Sequence, residues 1–233
     1  MKKFFSPLRH FIDLLYPQTC EACEKPLVEG EQVLCTYCRY EMPLTNFWSY
    51  TDNPAAKLFW GKTKLEQASS FFYYAKESRY RQLMHKLKYK GRQEIGVHLG
   101  RLYGNYLVNS MPYSSVDAIV PLPLHAKRLA KRGYNQSERI ADGISATMQK
   151  PMLLNTLIRN VYTETQTNKN RIDRWKNVEN VFSVALPEVL YNKHILLVDD
   201  ILTTGATLEA CANTIQQATH CKVSIATLAY AVY

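Results

Sequence analysis

Two adjacent carboxylates, followed by hydroxyls gathered around one glycine, are the residues of this chain best suited to chemistry. They lie in residues 194–208, HILLVDDILTTGATL. Asp199 and Asp200 offer acceptor oxygens, while Thr203, Thr204, Gly205, Ala206 and Thr207 offer hydroxyls and backbone N–H groups at the start of a helix. Such a helix start is a natural cradle for a phosphate. Gly205 has no Cβ, so the backbone there can approach an anion closely. Two acids ahead of the cradle would repel a bare phosphate. They suit a ligand that also carries hydroxyls, or Mg2+, for the carboxylates to hold, and a ribose bearing a 5-phosphate fits. A core strand with a polar turn, or an acidic Mg2+ pocket, fits the same residues.

The elements that must position these groups show in the surrounding pattern. Ile195, Leu196, Leu197 and Val198 form an unbroken apolar run, as expected of a strand buried on both faces of a parallel sheet. The two acids then fall where that strand stops, at the edge where open α/β sheets bind ligands. From residue 115 onward the pattern alternates: strand 116–120, a helix over about 124–148, strand 152–158, strand 195–198, a helix over about 205–218, and strand 222–231. That rhythm predicts an α/β fold with a doubly wound parallel sheet. Upstream, 67–75 reads as a strand and 76–78 as a turn. Residues 79–109 read as helical, with a stop at Gly91 and a second helix from Gln93. Residues 46–65 read as an irregular join. There is no internal repeat or low-complexity tract.

Four of the six cysteines form two knuckles, Cys20-x2-Cys23 and Cys35-x2-Cys38, separated by eleven residues. Four thiolates at this spacing suit a closed, tetrahedral, structural Zn2+ site, with a redox pair or an iron–sulfur site as the other options. Cys211 shares a helical face with Leu208, Ala212 and Ile215 and reads as a small buried hydrophobe, and Cys221 as the start of the last strand.

Three further segments carry polar chemistry. Pro121 and Pro123 shape a loop, P-L-P-L-H, at the end of the 116–120 strand, and Arg128, Lys131, Arg132, Gly133, Tyr134, Asn135 and Gln136 follow it. Arginine forks and amides suit pyrophosphate oxygens, although an ordinary turn fits as well. Residues 159–179 form a long polar connection holding Arg159, Thr165, Gln166 and Arg171, either a functional loop or a solvated one. Arg79, Arg81, Lys86, Lys88, Lys90 and Arg92 form a basic run without an acid, with Tyr80 and Tyr89 among them. That composition suits single-stranded nucleic acid through phosphate neutralisation and base stacking, and equally a solvated helix face.

The whole chain has 233 residues, a formal net charge of +9 and 46% hydrophobic residues, which suits one medium domain plus a small one. It argues against disorder and points to polyanionic partners, either nucleic acid or phosphorylated metabolites. No segment approaches the ~20 apolar residues of a membrane span, so no membrane insertion is expected. At the N-terminus, Phe4, Leu8, Phe11, Ile12 and Leu15 recur at helical spacing, while Arg9, His10 and Asp13 interrupt any signal-peptide core. The expected location is cytoplasmic.

In order along the chain, the paired C-x-x-C knuckles, K-Y-K-G, P-L-P-L-H, R-G-Y-N-Q, T-x-x-Q and V-D-D-I-L-T-T-G-A-T look like the ComF family, of the ComFC or GntX type. The last motif resembles the phosphoribosyl pyrophosphate (PRPP) signature of type I phosphoribosyltransferases. The resemblance implies a type I phosphoribosyltransferase-like sheet with a small N-terminal zinc-ribbon unit. It implies that Asp199 and Asp200 take the ribose and Mg2+, and that Thr203, Thr204, Gly205, Ala206 and Thr207 take the 5-phosphate. Pro123, Leu124, His125, Arg128 and Arg132 would serve the pyrophosphate, and Thr165, Gln166 and Arg171 would belong to a loop that closes over the ligand. The expected cofactors are structural Zn2+ and Mg2+ with PRPP. The implied role is in natural competence, in the uptake or use of single-stranded DNA, with DNA-uptake or recombination proteins as partners.

The expected division is 1–45 as amphipathic helix plus zinc ribbon, 46–110 as linker, strand and basic helical region, and 111–233 as the PRPP-binding domain. Two function classes stand at this point: an enzyme transferring phosphoribosyl to an unidentified acceptor, and a non-catalytic factor that binds PRPP and single-stranded DNA. No residue stands out as the acid or base for an acceptor.

Overall fold

A computed structural model describes residues 17–160 and 181–232. The expected N-terminal amphipathic helix, and Thr165, Gln166 and Arg171, lie outside the described residues.

The described helices are α1 (Thr36–Tyr40), α2 (Pro54–Lys57), α3 (Tyr80–Tyr89), α4 (Gln93–Val108), α5 (Ala126–Arg132), α6 (Gln136–Met148) and α7 (Ala206–Ala218). The strands are β1 (Gln67–Tyr74), β2 (Ala118–Pro121), β3 (Leu157–Arg159), β4 (Phe182–Val184), β5 (His194–Leu202) and β6 (Lys222–Ala231). β1, β6, β5 and β2 pair in that order, all parallel, while β3 and β4 form a separate antiparallel pair.

The apolar run at 195–198 explains why β5 is central. Ile195 and Leu197 join Val120, Val223 and Ile225 on one side of the sheet, where Leu208, Cys211, Ala212 and Ile215 of α7 cover them. Leu196 and Val198 join Ile119, Ala226 and Leu228 on the other side, covered by α4 and by Ile140 and Ile144 of α6. Successive strand residues point to opposite faces, so a strand apolar at every position needs a layer on both. The fold is thus the doubly wound α/β sheet expected, with α6 on one face and α7 on the other.

Glycines set how closely the helical layer packs. A Cβ added at Gly100 of α4 would lie 2.2 Å from the Ile140 carbonyl oxygen, and one added at Gly143 of α6 would lie 2.2 Å from that of Val97. The two helix backbones are therefore in contact, with no room for side chains between them.

Several boundaries differ from expectation. β5 continues through Asp199 and Asp200 to Leu202, because Asp199 and Ile201 stay in register with Thr227 and Ala229 of β6. The helix expected over 124–148 is two helices, since Gly133 adopts φ +78° and closes α5. The strand expected over 152–158 is reduced to a single bridge from Met152 to Ile119, then β3, because Asn155 takes φ +57° and turns the chain away. Residues 46–65 are not wholly irregular: Asn53 accepts the Ala56 N–H at 2.9 Å and caps the short α2, with Pro54 at its first position.

The two cysteine knuckles fold against this sheet domain. Cys20, Ala22, Leu34, Cys38 and Met42 share one apolar cluster with Leu83, Met84 and Leu87 of α3.

Candidate functional site

β2 and β5 are hydrogen-bonded neighbours, yet the chain leaves them on opposite faces. After β5 it enters α7, and after β2 it enters α5 and α6. Their C-terminal ends therefore open a crevice at a topological switch point, the general ligand position in open α/β sheets. Asp199 and Asp200 stand on one lip. The P-L-P-L-H loop that follows Pro121 forms the other.

The carboxylate pair is held from three directions. Asp199 Oδ1 accepts the Ser137 hydroxyl at 2.9 Å and the Asp200 N–H at 2.8 Å. Asp200 Oδ1 lies 3.0 Å from Lys88 Nζ of α3. Burial and the adjacent Asp200 push Asp199 up to about 7, against the opposing effects of the Asp200 N–H, Lys88 and Ser137. Carboxylate oxygens so placed suit ribose hydroxyls, and together with a ligand's pyrophosphate oxygens they suit the hard-oxygen shell of Mg2+.

Past the acids, Thr203, Thr204, Ala206 and Thr207 are exposed while Gly205 is buried. Gly205 takes φ +78° as the residue before α7, and a Cβ on it would crowd the Phe59 ring at 3.1 Å. The glycine thus serves both the left-handed backbone and the close approach of Phe59, and it leaves the hydroxyls and the α7 N-terminus open to solvent.

On the opposite lip, His125 caps α5 by accepting the Lys127 N–H at 3.2 Å. Arg132 reaches Gln136 Oε1 at 2.5 Å, and its guanidinium lies 5.2 Å over the Tyr89 ring. Pro123 and Leu124 line a cavity of about 230 Å3 that extends to Arg159 at the end of β3. Burial and Arg128 lower the Arg159 pKa, and Asp199 opposes them.

The Y-N-Q part of R-G-Y-N-Q faces the fold, where anion-binding amides were expected. Tyr134, Asn135 and Gln136 are buried. The Tyr134 hydroxyl donates to the Leu87 carbonyl, and Asn135 donates to the Leu122 carbonyl at 3.0 Å while capping α6 through the Ser137 N–H at 3.0 Å. These side chains fasten α3, the proline loop and α6 to one another.

The four thiolates converge. The Sγ atoms of Cys20, Cys23, Cys35 and Cys38 all lie within 4.8 Å of one another, and those of Cys23 and Cys35 are 3.8 Å apart. Zn–S bonds of ~2.3 Å set tetrahedral edges of about 3.8 Å, so the donor set fits Zn2+. All six cysteines are free of disulfides.

Comparison with known proteins agrees with both halves of this geometry. A phosphoribosyl transferase domain matches residues 129–231, and a double zinc ribbon domain matches residues 11–47. Competence protein F of Haemophilus influenzae is 38% identical over 93 residues, which is 40% of this chain and 41% of that protein. DNA utilization protein YhgH of Escherichia coli K12 is 31% identical over 133 residues, 56% of this chain and 58% of that protein. Competence protein ComFC of Bacillus subtilis is 28% identical over 98 residues, 40% of this chain and 36% of that protein.

The chain carries a phosphoribosyl transferase domain and a double zinc ribbon, and it is similar to these competence and DNA utilization proteins. The matched stretches span 36% to 58% of the length of these curated relatives. The fold is phosphoribosyltransferase-like, with a zinc ribbon whose four cysteines form a structural metal site.

The basic run is dispersed rather than presented as one face. Lys88 turns into the crevice, while Lys86 and Arg92 pair with Glu21 of the first knuckle. Arg79 lies against Cys38 Sγ at 3.9 Å and over the Tyr37 ring, and Arg81 donates to the Lys76 carbonyl at 3.2 Å. Arg81, His85, Lys86, Lys90 and Arg92 line a cleft of about 550 Å3 between α3 and the ribbon. Sequence reasoning missed Ser137 and the placement of Lys88 at the carboxylates. The signals available were the position of Ser137 directly after N-Q and of Lys88 inside K-Y-K-G. Among the described residues, no helix is long and apolar enough to cross a membrane.

Proposed function

We propose that this chain is a ComF-family protein that binds PRPP with Mg2+ in the β2–β5 crevice and works with single-stranded DNA in natural competence. The observation that carries the ligand reading is the pairing of Asp199 and Asp200 with the exposed Thr203–Thr207 turn at the topological switch point. The acids would take the ribose hydroxyls, and the turn and the α7 N-terminus the 5-phosphate. The lip at Pro123, Leu124 and His125, with Arg128 and Arg132, would meet the pyrophosphate. Mg2+, held there by the carboxylates and the pyrophosphate, would supply charge neutralisation.

The cleft between α3 and the ribbon is the surface we assign to DNA. Its cations could track phosphates, and the His85 ring in the same cleft offers a face for stacking. The names of the relatives, competence and DNA utilization proteins, support this role. Single-strand binding should be sequence-tolerant and fall by ~0.7 log unit per decade of salt for each phosphate neutralised. Arg81→Glu with Lys90→Glu should abolish it, while reversing Lys150 and Lys193, two basic residues outside the cleft, should not. Equal loss in both double variants would mean a diffuse attraction and no DNA site here. Pyrophosphate release from PRPP across bases, amines and DNA tests whether the bound ligand is also a substrate.

A further inference from the structure

A cation at the carboxylate pair comes from an element outside the β2 and β5 connections. Lys88 Nζ lies 3.0 Å from Asp200 Oδ1, and the two side chains are only 19% and 13% exposed. Confining a long, flexible ammonium this far from water costs entropy and hydration, so its position calls for a tether.

The tether lies on both sides of it. Two residues earlier, Lys86 Nζ is 3.3 Å from Glu21 Oε2 and donates to the Glu21 carbonyl at 3.1 Å. Beyond the end of α3, Arg92 pairs with Glu21 Oε1. Glu21, its side chain 7% exposed, sits between Cys20 and Cys23 in the first zinc knuckle. On the crevice side, Tyr134 binds the Leu87 carbonyl and Arg132 stacks over Tyr89. The ribbon and the α5–α6 junction therefore clamp the last turns of α3 with Lys88 between them.

An ammonium has three N–H donors, and the contact with Asp200 uses one. In PRPP the pyrophosphate is bonded to C1, beside the ribose hydroxyls that the carboxylates would hold. A lysine at those carboxylates is thus within reach of the pyrophosphate oxygens, and it relieves the repulsion that two acids impose on a polyanion.

We propose that Lys88 receives the pyrophosphate of the ligand, and that the zinc knuckle acts through Glu21 as its positioning residue. This rests on the PRPP reading above. Ligand affinity at the crevice then depends on the docking of the ribbon.

Calorimetry with Mg2+-PRPP and with ribose 5-phosphate tests it. Lys88→Gln should weaken PRPP about tenfold or more and leave ribose 5-phosphate nearly unchanged, and Lys88→Arg should recover most of the loss. Glu21→Gln should show the same selectivity more weakly while keeping one zinc per chain. Lys86→Gln with Arg92→Gln cuts the same tie without touching the ribbon and should match it. If Lys88→Gln weakens both ligands equally, Lys88 merely supports Asp200. If it tightens PRPP, Lys88 competes with the ligand, and either result overturns the proposal. Wild-type PRPP affinity in the Lys86/Arg92 double variant overturns the part given to the knuckle. Wild-type protein that binds neither ligand defeats the PRPP reading itself, a result distinct from all of these.

Discussion

The Ser137 hydroxyl donates to Asp199 Oδ1 at 2.9 Å, so the first turn of α6 and the end of β5 meet through a carboxylate of the crevice. Asn135, two residues earlier, caps the same helix and binds the proline loop. One turn of chain thus ties both lips together. Ser137→Ala leaves a half-buried carboxylate short of a donor and should lower stability by about 1–2 kcal/mol in urea titration. No loss of stability would show that the bond adds nothing to the fold.

The α4–α6 contact should be the least tolerant part of the helical layer. Alanine at Gly100 or Gly143 brings a methyl carbon into a backbone carbonyl, so the helices must separate. Each single variant should lose about 1–3 kcal/mol or more, seen as a lower Tm, against a gain of up to ~1 kcal/mol expected from helix propensity alone. An unchanged or raised Tm would contradict this packing.

His194 gives the stability a definite pH window. It is 4% exposed, with Nδ1 2.8 Å from the Ser115 hydroxyl and Nε2 2.8 Å from that of Ser224. Burial lowers its pKa below the ordinary 6.5. The unfolded chain therefore takes up a proton at a pH where the folded chain does not. Stability from the neutral imidazole is complete above about 6.5 and falls as pH drops toward the lowered folded value. His98 shifts in the same direction, so the test is the difference between wild type and His194→Gln. The variant should show a shallower loss on acidification, and parallel curves would exclude His194 as a source.

Zinc should stabilise more than the ribbon. Because Cys20, Cys38 and Leu34 share a cluster with α3, chelation or Cys38→Ser should release one zinc per chain and lower the Tm of the whole molecule. Metal analysis of fresh, reduced protein without zinc would contradict the site. Loss of zinc with an unchanged Tm would mean that residues 1–45 are energetically separate, as the division drawn from sequence proposes.

The strongest periodic signals in the chain correspond to its most regular elements. The apolar run at 195–198, the strand at 222–231 and the stop at Gly91 needed only local pattern, since burial on both faces and a left-handed glycine leave direct marks in sequence. Asn155 leaves none, because its left-handed backbone is a tertiary choice, and the strand expected there was lost to it. The same holds for charge. Residues 79–92 contain no acid, yet Lys86 and Lys88 find carboxylates at Glu21 and Asp200, far away in sequence. The acids and hydroxyls of the crevice were visible as a motif, whereas the partners that orient them, Ser137 and Lys88, come from other elements and needed the fold.

The most direct test of the central claim is calorimetric titration of PRPP with Mg2+ into wild-type protein and into the Asp200→Ala, Thr204→Ala double variant. The two substitutions would remove the proposed ribose contact and the proposed 5-phosphate contact, each worth ~1.5–3 kcal/mol, or roughly tenfold or more. The expected result is saturable binding of one PRPP per wild-type chain and a loss of about a hundredfold or more in the double variant. Equal affinity in the two proteins, or no binding to the wild type, would contradict the assignment of the crevice to PRPP.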